Sequence, residues 1–147
     1  MRVVVQRSKE ASVSIKNKIN GKIDYGMVLL VGFTEGDTSK EIDYMVEKII
    51  NLRIFDDESG IMNKSLIDMS GSILSISQFT LYGDASKGRR PSYIKALSGD
   101  KATVLYDLFN EKLRKNNIKV ETGIFGADMQ VKLINDGPVT ILLEKEN

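Results

Sequence analysis

No cysteine and no histidine occur anywhere in this 147-residue chain. The first absence removes disulfides, thiolate nucleophiles and cysteine-ligated metals together. The second excludes Ser-His-Asp chemistry, histidine general bases and the usual zinc sites. Catalysis, if any, must then rest on hydroxyls, carboxylates, lysine, main-chain groups or the substrate itself. Long apolar runs are missing too: the longest, Met27–Val31, falls far short of the ~20 residues of a membrane helix. The opening Met1–Arg7 is too short in apolar residues for a signal peptide, so a soluble cytoplasmic protein is expected, with no membrane partner. An excess of one charge is also lacking. With 21 Lys and Arg against 20 Asp and Glu, the net charge is +1, and any contact with nucleic acid must come from a local patch.

What is present is ordinary globular composition, 41% hydrophobic and 28% charged, in a chain long enough for one cored domain spanning residues 1–147. Val3–Gln6 and Ala11–Ile15 read as two strands joined by the polar Arg7–Glu10, the second with Ala11, Val13 and Ile15 alternating against Ser12 and Ser14. Tyr25–Phe33 reads as a strand buried on both faces. Thr38 followed by Glu41 fits a capping box, and Ile42, Met45, Val46, Ile49 and Ile50 fall on one helical face. A second helix is predicted from about Asp100 to Asn116, burying Ala102, Leu105, Phe109 and Leu113. Ser72–Phe79 reads as a strand running on into Thr80-Leu81-Tyr82. Ile118–Thr122, Met129–Ile134 and Val139–Glu144 read as three more. The expected fold class is α+β: a mostly antiparallel, curled, barrel-like sheet with two main helices.

Four places carry chemistry. Ser77-Gln78-Phe79-Thr80 gathers hydroxyls and an amide at a strand end, suited to a polar substrate or an oxyanion. Thr80 as a nucleophile would need an activating base, and no histidine supplies one. Lys87, Arg89 and Arg90 place three cations around Gly88, a pattern suited to phosphates as well as to a solvated loop. Asp56-Asp57-Glu58 lacks the spacing of an EF-hand and reads as a solvated turn, so no metal is expected. Asn135-Asp136-Gly137-Pro138-Val139-Thr140 lies between apolar runs. Pro138 cannot donate to a ladder and belongs in a turn, a bulge or an edge; between two strands it reads as a hairpin turn, or as a device that aims main-chain carbonyls at a ligand.

Together these pieces resemble the D-aminoacyl-tRNA deacylase family. The resemblance runs along nearly the whole chain: Met1–Arg7, Leu52–Phe55, Met62-Asn63, Ser77–Leu81, Lys87-Gly88 with Arg90-Pro91, Thr122–Met129 and Asn135–Thr140. Ser-Gln-Phe-Thr-Leu and Asn-X-Gly-Pro-Val-Thr are its specific motifs. Ser8, where an apolar residue is common, and Arg89, an added charge, are its mild departures. It implies a homodimer, with no cofactor, that hydrolyses the ester of a D-amino acid, or of glycine mischarged on tRNA-Ala, at the tRNA 3′ end. It implies a cis Gly137–Pro138 peptide reaching into the site of the other subunit, where the two carbonyls hold the substrate amine and exclude L side chains. Ser77, Gln78, Phe79 and Thr80 would form the facing wall, with Arg7 supporting the Gly-Pro segment and Lys87, Arg89 and Arg90 on the tRNA. DNA is not an expected partner. Two other readings stay open at this level, a relative that admits some L-esters and a non-catalytic tRNA-binding module.

Overall fold

A computed structural model describes the chain from Met1 to Asn147. Most of its sheet attaches to one strand, β1 (Arg2–Ile15). Along one edge β1 pairs antiparallel with β2 (Lys18–Ile23) and with β3 (Gly26–Gly32). Along the other it pairs antiparallel with β8 (Gln130–Glu144). The sheet continues from β3 in parallel to β6 (Ser72–Ser77), and from β6 in parallel to β7 (Val120–Thr122). Asn20 on β2 donates its amide to the Thr122 carbonyl on β7 at 2.7 Å, so the two edges of the curled sheet meet. The architecture is thus a nearly closed, barrel-like sheet, antiparallel around β1 and parallel at the β3–β6 and β6–β7 junctions. β4 (Phe55–Asp56) and β5 (Met62–Lys64) form a separate short ribbon.

The two expected helices form for local reasons. α1 (Ser39–Asn51) starts at Thr38, whose hydroxyl accepts from Lys40 N–H at 3.2 Å while the Glu41 carboxylate accepts from Thr38 N–H at 2.7 Å. Its predicted face, Ile42, Met45, Val46, Ile49 and Ile50, is buried. α3 (Gly99–Arg114) buries Ala102, Phe109 and Leu113, with Leu105 half-buried, and adds Tyr106, whose hydroxyl donates to the Ser75 carbonyl at 2.7 Å. Between them lies a single turn, α2 (Leu66–Met69).

Two apolar cores sit on opposite faces of the sheet. Met27, Leu29 and Val31 of β3 pack towards α1 and α3, while Val28 faces the barrel interior with Leu74 and Ile76 of β6. That is why β3 reads as an unbroken apolar run: both faces are covered.

The long strands serve both cores by changing face part-way. Val3 and Val5 of β1 pack on the helix side, and Ala11 and Val13 pack inside the barrel. Between Ser8 and Ala11 the pairing to β8 slips, with three steps on β1 against two on β8, and one extra residue reverses the alternation. β8 does the same on a larger scale. Gln6 pairs with Thr140 and Ser8 with Asn135, so five steps on β8 lie opposite two on β1. Val139, Ile141 and Leu143 thereby face the helix side, and Met129, Val131 and Leu133 face the interior.

Three expectations are corrected here. Arg7–Glu10 does not connect two strands but is a bulged stretch of one strand. The strands expected over Met129–Ile134 and Val139–Glu144 are likewise parts of one strand, Gln130–Glu144, so Gly137-Pro138 is an arched bulge within that strand and not a hairpin turn. The strand predicted over Ser72–Phe79 stops at Ser77, and Phe79–Tyr82 winds into a 3-10 turn. Ser8, the polar departure, is fully buried with its hydroxyl within reach of the carbonyls of Lys9 (2.9 Å) and Ile134 (3.2 Å).

Candidate active site

A cleft of about 260 Å³ opens where β6 ends and β8 begins. One wall is Ile76, Ser77, Gln78 and Phe79; the other is Phe125, Gly126, Ala127, Met129 and Val131. The floor is apolar because it is the end of the barrel interior, continuous with Ile76 and Val131. The polar groups come from the strand end, where β6 leaves the sheet after Ser77.

The 3-10 turn that follows β6 positions the wall. Gln78 N–H donates to the Val31 carbonyl at 2.7 Å, which pins the turn to β3. Gly83 N–H closes it on the Thr80 carbonyl at 2.9 Å. The Gln78 amide donates to the Thr80 hydroxyl at 2.5 Å. Phe79 stays 54% exposed at the rim, packed edge-on against Tyr93 with ring centroids 5.1 Å apart. Ser77, Gln78 and Phe79 line the cleft. Thr80 does not; it is exposed beside the cleft and bound to Gln78.

The basic loop hangs from the same turn. Asp84 and Ser92 exchange two main-chain hydrogen bonds of 2.8 Å and close its base. Lys87, Arg89 and Arg90 are all exposed, none in a salt bridge, around a Gly88 at φ +122° that residues with Cβ rarely adopt.

The Gly137–Pro138 arch is built separately. Its peptide bond is cis. Both residues are exposed, and neither lines the cleft of its own chain. The arch lies opposite Gln6–Ser8 and the cleft end of β8 opposite Val13, a separation of about 20 Å along the strand. Arg7, only 6% exposed, anchors the arch. Its Nε donates to the Asp136 carbonyl at 3.2 Å and lies 3.3 Å from the Asp136 carboxylate, while Nη1 donates to the Ile54 carbonyl at 2.8 Å and to Asp56 at 3.3 Å. Gly137 suits the arch because its φ is +117°, which residues with Cβ rarely adopt, and a Cβ there would stand 2.9 Å from Arg7 Nη2 and displace the guanidinium. Tyr25 lies in the same group, and burial, then the neighbouring Asp136 carboxylate, pushes its phenol above the ordinary 10.0.

The acidic loop contains two ion-pair partners and one cap, and Glu58 pairs with Lys64 at 3.5 Å. Asp56 pairs with Arg7, and the Asp57 carboxylate accepts from the N–H groups of Ser59 (2.8 Å) and Ile61 (3.0 Å). Hydrogen bonds from Ile61 first, then from Ser59, hold the Asp57 carboxyl below its usual range.

A family model for D-Tyr-tRNA(Tyr) deacylase matches residues 4–144. The chain belongs to that family. A D-aminoacyl-tRNA deacylase of Bacillus mycoides is 60% identical over 146 residues, covering 99% of this chain and 100% of its own length, and one from Bacillus thuringiensis is equally similar. A solved structure of a c-Myc DNA unwinding element binding protein superposes with a TM-score of 0.94 at 43% identity, over the whole of both chains. A probable eukaryotic D-amino acid tRNA deacylase shares the fold, with a TM-score of 0.83 at 20% identity over 97% of each chain.

Within this family frame, the deacylase motifs fall in two places. Ser77, Gln78 and Phe79 sit in the cleft with Thr80 beside it; Arg7 sits under Gly137 and Pro138. Sequence reasoning missed the second cleft wall. The residues that line it, Phe125, Gly126, Ala127, Met129 and Val131, carry no nucleophile, acid or base, so only their overlap with the family motif Thr122–Met129 could have marked the wall. It also missed Asp56 and Asp136 as the carboxylates facing Arg7, and Tyr93 as the partner of Phe79.

Proposed function

We propose that this deacylase hydrolyses the ester between a D-amino acid and the 3′ end of tRNA, in the cytoplasm, as a homodimer whose sites are each completed by the other chain's Gly137-Pro138 arch. Family membership carries the reaction class. The observation that carries the assembly is the placement of the two motifs: the cleft of one chain lacks Gly137 and Pro138, and these stand exposed elsewhere on the same strand. A second copy brings one arch to each cleft and gives β8, which pairs only with β1, a covering partner for exposed Ile134 and Leu142.

In this reading the main-chain N–H groups of the 3-10 turn, beside Ser77 and Gln78, receive the charge that develops on the ester oxygen. The attacking oxygen is the terminal ribose hydroxyl or a positioned water. Thr80 lacks a base: the partner of its hydroxyl is the amide of Gln78, which cannot take a proton at neutral pH. The carbonyls of Gly137 and Pro138 hold the substrate amine and leave no room for an L side chain. Such a main-chain filter tests the α-carbon and ignores the identity of the side chain, so glycine on tRNA-Ala is also accepted. Lys87, Arg89 and Arg90 contact the phosphates of the acceptor end.

Incubation with matched D-tyrosyl-, L-tyrosyl- and glycyl-tRNA tests the reading. Release of the D- and glycyl esters with the L-ester intact is expected. Release of L-tyrosine would make the arch permissive, and release of none would leave a tRNA-binding module.

A further inference from the structure

The arch poses an accounting problem that one side chain solves. Residues 136–139 have left the ladder between Asn135 and Thr140, and main-chain groups that leave a ladder need other partners. Half-buried Val139 N–H donates to Asn135 Oδ1 at 3.3 Å. The same amide donates through Nδ2 to the Thr140 hydroxyl at 2.8 Å. Gln6 Nε2, from β1 opposite, approaches that hydroxyl at 3.4 Å. The orientation of the Asn135 amide is fixed by chemistry, because turning it over would set NH₂ against the Val139 N–H.

We infer that Asn135 is a positioning residue for chiral selection: its side chain closes the base of the arch and sets the direction in which the Gly137 and Pro138 carbonyls project. This rests on the reading of the arch as the amine-binding filter. Arg7 ties down the side of the arch before Gly137, through Asp136. Asn135 ties down the side after Pro138, through Val139 and Thr140. Two carbonyls aimed across a subunit boundary need both tethers, since a small rotation at either base displaces them from the substrate amine. Asn135 does not touch the substrate, so its loss acts on the chemical step and on D/L discrimination while tRNA binding is preserved.

The test compares wild type, Asn135→Ala, Asn135→Asp and Thr140→Val on matched D- and L-tyrosyl-tRNA, with hydrogen exchange of the Val139 amide read in parallel. Asn135→Ala should lower kcat on the D-ester about tenfold, the equivalent of one neutral hydrogen bond, with KM unchanged and the D/L ratio reduced. Its Val139 amide should lose protection. Asn135→Asp keeps the acceptor for Val139 N–H and should recover most of the rate; Thr140→Val should fall between. A wild-type rate and D/L ratio in Asn135→Ala overturns the inference. Should that variant not fold, a wild-type D/L ratio in Thr140→Val together with no recovery in Asn135→Asp overturns it equally. A wild-type protein inactive on both esters instead sinks the functional reading, and the Val139 exchange then still shows whether the clip exists.

Discussion

Arg7 holds Asp136 twice, through its carbonyl at 3.2 Å and its carboxylate at 3.3 Å, from a single Nε. One buried cation on β1 therefore fixes main chain and side chain of the residue before Gly137. It also ties both to the Ile54 carbonyl and to Asp56.

Arg7→Ala should lower stability by roughly 2–3 kcal/mol. That is below the usual cost of breaking a fully buried pair, since the carboxylates of Asp56 and Asp136 are 51% and 25% exposed and keep some solvation. Arg7→Lys should recover only part, because an ammonium cannot span Asp136 and Ile54 at once. Urea unfolding of the three proteins measures this, and equal midpoints would show that the anchor contributes nothing to the fold.

Thr80→Ala removes a hydroxyl that accepts from Gln78 and has no base beside it. Deacylation should persist within about tenfold of wild type, the scale of one lost hydrogen bond. Single-turnover rates on D-tyrosyl-tRNA decide it. Abolished turnover in a folded, tRNA-binding variant would restore Thr80 as the nucleophile.

Replacing Arg89 and Arg90 together by Ala removes two unpaired, exposed cations. The slope of log affinity against log salt for tRNA should shrink by about 1–2, with little change in the D/L ratio. An unchanged slope would reduce the loop to solvated surface.

Glu41 reports on pH. Hydrogen bonds from Thr38, by its side chain first and its N–H second, hold the Glu41 carboxyl below the ordinary 4.5. A depressed carboxylate stabilises the fold fully above the unfolded value and loses that contribution as pH falls through the folded one. Wild type should thus exceed Glu41→Gln in stability at neutral pH, with the gap closing below about pH 4.5. Thermal melts across pH 3–7 check the sign; a gap that widens on acidification would contradict it.

What could be read from the sequence was what is local. The α1 cap and face depend on residues three to four apart, and Thr38, Glu41 and Ile42–Ile50 are where the pattern put them. The breaks in alternation at Arg7–Glu10 and at Asn135–Val139 were visible as well. They read as strand ends, because a strand that changes face and a strand that stops look alike along one chain. The ladder that distinguishes them joins residues more than a hundred positions apart, as at Gln6 and Thr140. The same distance hid the surroundings of Arg7, whose partners Ile54 and Asp136 lie 47 and 129 residues away. In the cleft, the hydroxyls and amide of Ser77–Thr80 announced themselves by chemistry. The facing residues Phe125, Gly126, Ala127, Met129 and Val131 contribute only shape, and shape leaves no mark in composition.

That β8 is one strand has a geometric consequence. Val131 in the cleft and Gly137 in the arch ride on the same strand, so in the proposed two-fold pair the spacing between one chain's arch and the other's cleft would be written once, in the residues between them. Deleting two residues there would keep every side chain on its proper face yet draw the arch back by about 7 Å. In the proposed dimer both clefts would then lose their arches together. On that proposal the strand would work as a ruler, its length part of the stereochemical selection.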